Sequence, residues 1–422
     1  MTLPLSFLAL FLSIFLVQLG SGSLGPLDAL GGAARGFTTG EIGFLGSAHF
    51  AGFFLGCWLM PRLIGTVGHA RSFAAAAAVG ATGALLHPVL EGPLLWAGLR
   101  VLTGLSIAGA YTVVESWMQA KVENTQRGRV FGAYRVVELG GQVASQGLIA
   151  LLDPASYVAY NIVAIFCCVC LLPLALSTSV PPKTPTAPRL RPVRAALLAP
   201  SATLAIMTAG MTSAAYRMVG PVYGVEQGLD QQAIALFLMA VVAGAAAGQV
   251  PAGWVADKFD RRHVLIGLSL ATIASALWVG VGAETRGGII VGAFVFGATA
   301  WPVFSVASAY ANDYSPPDFV VELNAAVMLF FSVGAILSPT VTAALIPVFG
   351  PGALFVFVAA AHLALILFAL YRMTRRRAAA ARTPYRYMPR TSMVLARLLR
   401  RGPEPHRRAS PDSAGHAEEE TR

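Results

Sequence analysis

Charge is scarce in this chain. Only 12% of its 422 residues are Asp, Glu, Lys or Arg, against about 25% in ordinary soluble domains. With 56% hydrophobic residues, that shortage excludes a solvated globule and a disordered chain. Cysteine is scarcer. Cys57, Cys167, Cys168 and Cys170 lie inside apolar runs, and none sits in a CxxC pair flanked by His or by a second pair. A disulfide-stapled secreted domain is excluded, and no zinc or haem site is suggested. The four read as small buried hydrophobes. Catalytic and nucleotide signatures are missing too: there is no Walker motif, HExxH or GxSxG. Gly20-Ser-Gly22-Ser-Leu-Gly25 matches GxGxxG, but it follows an apolar helix rather than a strand. No cofactor and no metal are expected, and the chain does not read as an enzyme.

What is present is apolar length, with a mean hydropathy of +0.67. A membrane-crossing helix takes about 20 mostly apolar residues, and only helices or closed barrels satisfy the backbone in lipid. Barrel strands would alternate over about ten residues. Here the runs are long and continuous. Twelve stand at about 3–24, 41–60, 73–91, 94–116, 130–151, 155–177, 198–220, 231–253, 264–283, 287–310, 323–346 and 351–371. The first lacks a basic start, since the first Arg is Arg35, and it is too long for a signal core. It counts as a span. The expected fold class is an all-α integral membrane protein with twelve transmembrane helices.

Twelve spans place both termini on one side, and the basic residues say which. With cytoplasmic termini, inside segments hold 25 Lys and Arg and outside loops hold two, Arg35 and Arg286. Arg100, Arg135 and Arg217 fall within spans. The positive-inside rule then gives a multi-pass protein of the inner (plasma) membrane with both termini cytoplasmic. The acidic loop near 311–322 carries Asp313, Asp318 and Glu322 and no Lys or Arg, but acidic residues weigh little in this rule.

The chain contains itself twice. The Pro-rich basic stretch 177–200 divides the runs six and six. A shift of 192 lays Gly36 to Arg71 on Gly228 to His263 without a gap, matching Gly52 with Gly244 and Gly56 with Gly248. Two pseudo-symmetric six-helix bundles with a site between them at mid-membrane form a transporter architecture. The expected domains are 1–177 and 198–372 for the two bundles, a cytoplasmic basic linker at 178–197, and a basic cytoplasmic tail at 373–422. Thirteen of the 30 Lys and Arg lie from Arg372 onward. After so much apolar chain this reads as contact with the lipid bilayer, not with nucleic acid. Val394 to Arg401 is amphipathic at helical spacing, and the tail is otherwise expected to be largely disordered.

Polar residues inside the spans are the site candidates, because charge in lipid is costly and faces a partner or a wet cavity. Arg100, Gly104, Tyr111 and Glu115 share one face of the fourth span, and Arg135, Glu138, Gln142 and Gln146 one face of the fifth. Glu138 lies roughly 12 Å beyond Val130 at about 1.5 Å per residue. Two readings of Glu138 stand: a proton-coupling carboxylate, or the partner of Arg135 or Arg100. Arg100 is likewise a coupling group or half of a packing ion pair. His49 and Arg217 are further candidates, with Gln18, Asn161, Gln249 and Asn324 as weaker lining residues. His87 and His362 are placed near span ends and given no role. Trp301-Pro302 should kink the tenth span.

The loop Gly253-Trp-Val-Ala-Asp257-Lys258-Phe-Asp260-Arg261-Arg262 resembles the major facilitator superfamily signature G-x-x-x-D-[R/K]-x-G-[R/K]-[R/K], with Asp260 in place of the second Gly. Its first-half copy is degenerate, with Pro61 at the first Gly and Gly65 at the Asp position. Arg100-Val-Leu-Thr-Gly104 resembles the family's R-x-x-x-G motif. Tyr111 to Trp117, Arg127-Gly-Arg129-Val-Phe-Gly132, Pro302-Val-Phe-Ser-Val-Ala and Ala311-Asn-Asp313 resemble its bacterial YcaD-type branch. The likeness covers about 370 residues. It implies the major facilitator fold, alternating access, and a cytoplasmic gate at Asp257, Lys258, Arg261 and Arg262. It also ties Arg100 to proton coupling. The expected function is secondary active transport of a small solute by a monomer, with a proton as co-substrate. Two rivals are an intramembrane enzyme, for which no Ser/His constellation is seen, and a non-transporting sensor or scaffold that retains the fold.

Overall fold

The computed structural model describes residues 7–122, 127–177, 191–316 and 319–375. The first half holds α1 (Leu8–Ala34), α2 (Thr39–Val67), α3 (His69–Leu86), α4 (Pro93–Lys121), α5 (Arg127–Ile149), α6 (Tyr157–Val169) and α7 (Leu171–Ala175). A short α8 (Pro192–Leu198) precedes the second half. That half comprises α9 (Pro200–Glu226), α10 (Gln231–Lys258), α11 (Arg261–Leu277), α12 (Arg286–Ala300), α13 (Pro302–Asp313), α14 (Val320–Phe349) and α15 (Ala353–Arg375). Nine spans among the described residues are long and apolar enough to cross a membrane, taking α6–α7 and α12–α13 as broken single spans. A tenth is α9 with α8, which meet at 111°. Short, Ala-rich α3 and α5 with its polar stripe complete two sets of six. The protein is a multi-pass membrane protein of the twelve-helix class.

The first span differs from its expected extent. It runs to Ala34 rather than ending near 24. The Gly/Ser string that lowers local hydropathy sits inside the helix, because in lipid a backbone can stop hydrogen-bonding to itself only where other groups take over. Those small residues are packing surface. A Cβ on Gly22 would meet Ser145 Oγ of α5 at 2.6 Å, and one on Gly20 would meet Cys167 Sγ of α6 at 2.9 Å. At Trp301-Pro302, where a kink is expected, the helix is interrupted, with α12 ending at Ala300 and α13 starting at Pro302 within one span. Part of the expected linker, 192–197, lies within α8. Residues 178–190 and 376–422, with the amphipathic stretch 394–401, fall outside the described residues.

The repeat is visible in helix ends and crossings. Gly36 and Gly228 have φ of +80° and +70° after α1 and α9, a conformation glycine adopts without a Cβ penalty. Two residues later Thr38 and Asp230 cap α2 and α10, each side chain accepting a backbone N–H three residues on. A Cβ on Gly52 would lie 1.9 Å from the Val101 carbonyl oxygen on α4, and one on Gly244 the same distance from that of Phe294 on α12. From the facing helices, Gly104 approaches the His49 carbonyl and Gly297 approaches that of Val241 just as closely. Only hydrogen side chains permit helices this near, which is how helices associate in lipid without a hydrophobic drive.

The halves meet where α2 and α10 begin. Gly43 and Gly46 of α2 pack on Pro339 and Ala343 of α14 and on Met218 of α9. Ser47 Oγ and Thr340 Oγ1 are 2.7 Å apart. Gln231 Nε2 donates to the carbonyls of Ile149 and Leu152, both at 2.5 Å. Two buried apolar clusters each draw on both halves. One joins Phe11, Phe50 and Val113 to Phe304 and Phe331. The other joins Leu27, Trp96 and Tyr160 to Phe237, Phe296 and Phe355.

Candidate functional site

Asp28 is the one charged residue among the 27 of α1, and it is wholly buried. Its Oδ2 lies 3.3 Å from His87 Nε2 and 3.4 Å from Arg100 Nη1. His87 Nδ1 stands 2.6 Å from the Gly83 carbonyl oxygen, so Nδ1 carries hydrogen and donates. In a neutral ring Nε2 then carries only a lone pair, and it faces a carboxylate. The carboxylate thus stands between an imidazole nitrogen and a guanidinium, both within 3.4 Å. The imidazole is stacked on Tyr160, with centroids 5.5 Å apart and planes at 9°, and meets the edge of Trp96. Sequence reasoning missed this pair. Asp28 lay beyond the apparent end of the first run, and His87 was dismissed for its place at the end of α3. The available signal was one carboxylate in an otherwise uncharged helix.

Arg100 also borders a narrow cavity of about 60 Å³ lined by both halves. Its polar walls are His49 of α2, Arg100 of α4, Gln142 and Gln146 of α5, and Tyr216 and Arg217 of α9, with Trp301 at the α12–α13 break. Five sequence candidates therefore converge: Arg100, His49, Gln142, Gln146 and Arg217. The lining comes from the first, second, fourth, fifth, seventh, eighth and tenth spans. Arg217 occupies in the second half the position of Gly25 in the first, 192 residues apart. A Cβ on Gly25 would stand 3.6 Å from Arg100 Nη2, so the Arg100 guanidinium occupies the space beside that glycine.

The other three candidates lie in the wall rather than on the cavity. Glu138 pairs with Arg135 and accepts from the Tyr111 hydroxyl at 3.2 Å. Glu115 accepts from the Tyr134 hydroxyl at 3.2 Å. Both carboxylates are almost fully buried, where hydrogen bonds and opposite charge are what make burial tolerable. His362, placed near a span end from sequence, is instead inside α15, fully buried between Thr212 and Ser269 at 3.2 Å from each.

The loop between α10 and α11 is organised by Arg261. Its buried guanidinium binds the Ala309 carbonyl at 2.8 Å and the Asp313 carboxylate on α13, with Asp257 at 3.7 Å. Asp313 is a partner that its loop position concealed. Lys258 lies over the Trp254 ring, 3.8 Å from its centroid. Asp260, the departure from the family pattern, caps α11 by accepting the Arg262 N–H at 3.0 Å and pairs with that residue's guanidinium at 2.9 Å. Burial pushes the Asp260 carboxyl up, but the Arg262 hydrogen bonds and charge outweigh it and hold the group below the ordinary carboxylate range. Among the described residues no cluster of three His, Cys, Asp or Glu could hold a metal.

Comparison with known proteins agrees with this doubled architecture. The Major Facilitator Superfamily sequence model matches residues 10–244 and 202–404. The chain is 26% identical over 370 residues, 86% of its length and 94% of the relative's, to the "Uncharacterized MFS-type transporter YcaD" of Salmonella arizonae. Among solved structures it resembles the nucleoside transporter NupG, with a TM-score of 0.73 and 14% identity over 88% of this chain and 100% of that one. It also resembles a D-xylose-proton symporter, with a TM-score of 0.66 and 16% identity over 90% and 98%. Those two likenesses are of fold. The sequence match spans both bundles that enclose the cavity: the chain belongs to the Major Facilitator Superfamily, as a transporter of the YcaD type and not an enzyme.

Proposed function

We propose that this protein moves a small solute across the inner membrane by alternating access, coupled to protons, with both termini cytoplasmic. The observation that carries the coupling is the Asp28–His87 pair behind Arg100. A buried carboxylate held between an imidazole and a guanidinium is a place where a proton and Arg100 compete for the same oxygens. Contacts between the halves where α2 and α10 begin support a state closed on the outer side. Asp257, Lys258, Arg261 and Arg262 act at the opposite end as the gate, and Asp313 joins them through Arg261. Charge-assisted bonds of that kind hold one state and yield to a rocking motion. A polar cavity shared by both halves disfavours the non-transporting scaffold, which has no use for one.

The test is a solute panel applied to proteoliposomes carrying an internal pH dye. A transported solute dissipates an imposed proton gradient in the wild type. Asp28→Asn should still exchange the solute across the membrane while no longer moving protons. Coupled proton flux that persists undiminished in Asp28→Asn overturns the coupling assignment, and a protein that moves no solute overturns the reading.

A further inference from the structure

The cavity's charge pattern points to the class of solute, an inference that rests on the transport reading above and adds the substrate's chemistry to it. Arg100 and Arg217 line the cavity from opposite halves, with His49 beside them and no Asp or Glu in the lining. Arg100 is 3% exposed; its Nη1 faces Asp28, and its Nε makes no hydrogen bond. Asp28 stands beside its Nη1 at 3.4 Å, and His87 at the end of α3 and Tyr160 from α6 also face that carboxylate. A buried guanidinium with an unbonded Nε, at the wall of a cavity whose lining holds no carboxylate, is a site for oxyanions, which its planar fork fits.

We propose that the solute is a small organic anion whose carboxylate or phosphate oxygens bridge Arg100 and Arg217. Gln142 and Gln146 offer amide groups to its remaining polar atoms, and Trp301 and Tyr216 flank its carbon skeleton. The repeat explains how one anion spans the two halves. Position 217 carries Arg where its counterpart, position 25, carries Gly, and Arg100 occupies the space beside that Gly. The bridging anion therefore ties one bundle to the other.

Trp301 makes the site its own reporter. The full chain, purified in detergent, is titrated by tryptophan fluorescence with benzoate, benzamide and benzamidine, which differ chiefly in charge, and with succinate, phenyl phosphate and inorganic phosphate. Trp301→Phe serves as the blank. At least one anion should bind tenfold or more tightly than benzamide. Arg217→Gln should weaken that anion about tenfold to a hundredfold, the scale of a lost charged hydrogen bond, and Arg217→Lys should recover part of it. The carboxylate and phosphate arms show which oxyanion is preferred. Equal binding of benzamide or benzamidine, no binding by any anion, or an unchanged affinity in Arg217→Gln overturns the proposal. Anion binding without counterflow in proteoliposomes sinks the transport reading and leaves the anion class. Counterflow of a neutral or cationic solute without anion binding does the reverse.

Discussion

Asp28 on α1 holds Arg100 on α4 at 3.4 Å, the carboxylate wholly buried and the guanidinium almost so at the cavity wall. Removing one member of such a pair strands a charge where nothing can solvate it. Arg100→Met should cost about 3–5 kcal/mol. Asp28→Asn combined with Arg100→Met should recover much of that loss, because neither charge is then left alone. Thermal midpoints in detergent for the two singles and the double form the cycle, and additive losses would refute the pairing.

Helix crossings make a second prediction. Gly52→Ala and Gly244→Ala each drive a methyl into a carbonyl at under 2 Å and force two helices apart. Each should destabilise by about 1–3 kcal/mol. Gly98→Ala on α4, where a Cβ meets nothing within 4 Å, should be neutral or slightly stabilising through helix propensity. Melting curves of the three variants check this.

The buried and exposed arginines of the second bundle should behave differently. Arg261→Ala leaves the buried Asp313 carboxylate without its guanidinium, and a loss of about 3–5 kcal/mol is expected. Arg286→Ala breaks a pair with Asp230 in which both side chains are about half exposed. That change should stay within about 1 kcal/mol. Comparable losses in the two variants would contradict the assignment.

Asp260 gives the α11 cap a pH dependence. Its folded pKa lies below the unfolded value because Arg262 favours the carboxylate. The stabilisation is therefore present above the unfolded pKa, near 3.9, and is lost as pH falls through the folded value. Amide protection at the first turn of α11, taken relative to the intrinsic exchange rate at each pH, should fall on acidification in that range. Asp260→Asn, which keeps a capping oxygen without the titrating charge, should show no such step.

The arginines that share the cavity were legible early, as charges inside apolar runs at helical spacing. His49, Gln142 and Gln146 were legible for the same reason. Asp28 and Asp313 were not. Each lies where a helix continues past a drop in local hydropathy, and a window of composition cannot tell a helix end from a helix whose small polar residues pack against neighbours. The partition of Glu115 and Glu138 into the wall was equally invisible, since a shared helical face does not say which neighbour covers it.

Sequence alone determined the membrane, the twelve spans, the doubling and the identity of the costly charges, because lipid permits few ways to hide a backbone or a guanidinium. Tertiary structure decided which charges meet. Arg100 joins Asp28 and His87 only after α1, α3 and α4 cross, and Arg217 reaches the same cavity only after two bundles close on each other. Such contacts depend on interhelical distances of a few ångströms, set by where glycine lets one backbone touch another, and no pattern along a single chain encodes them locally.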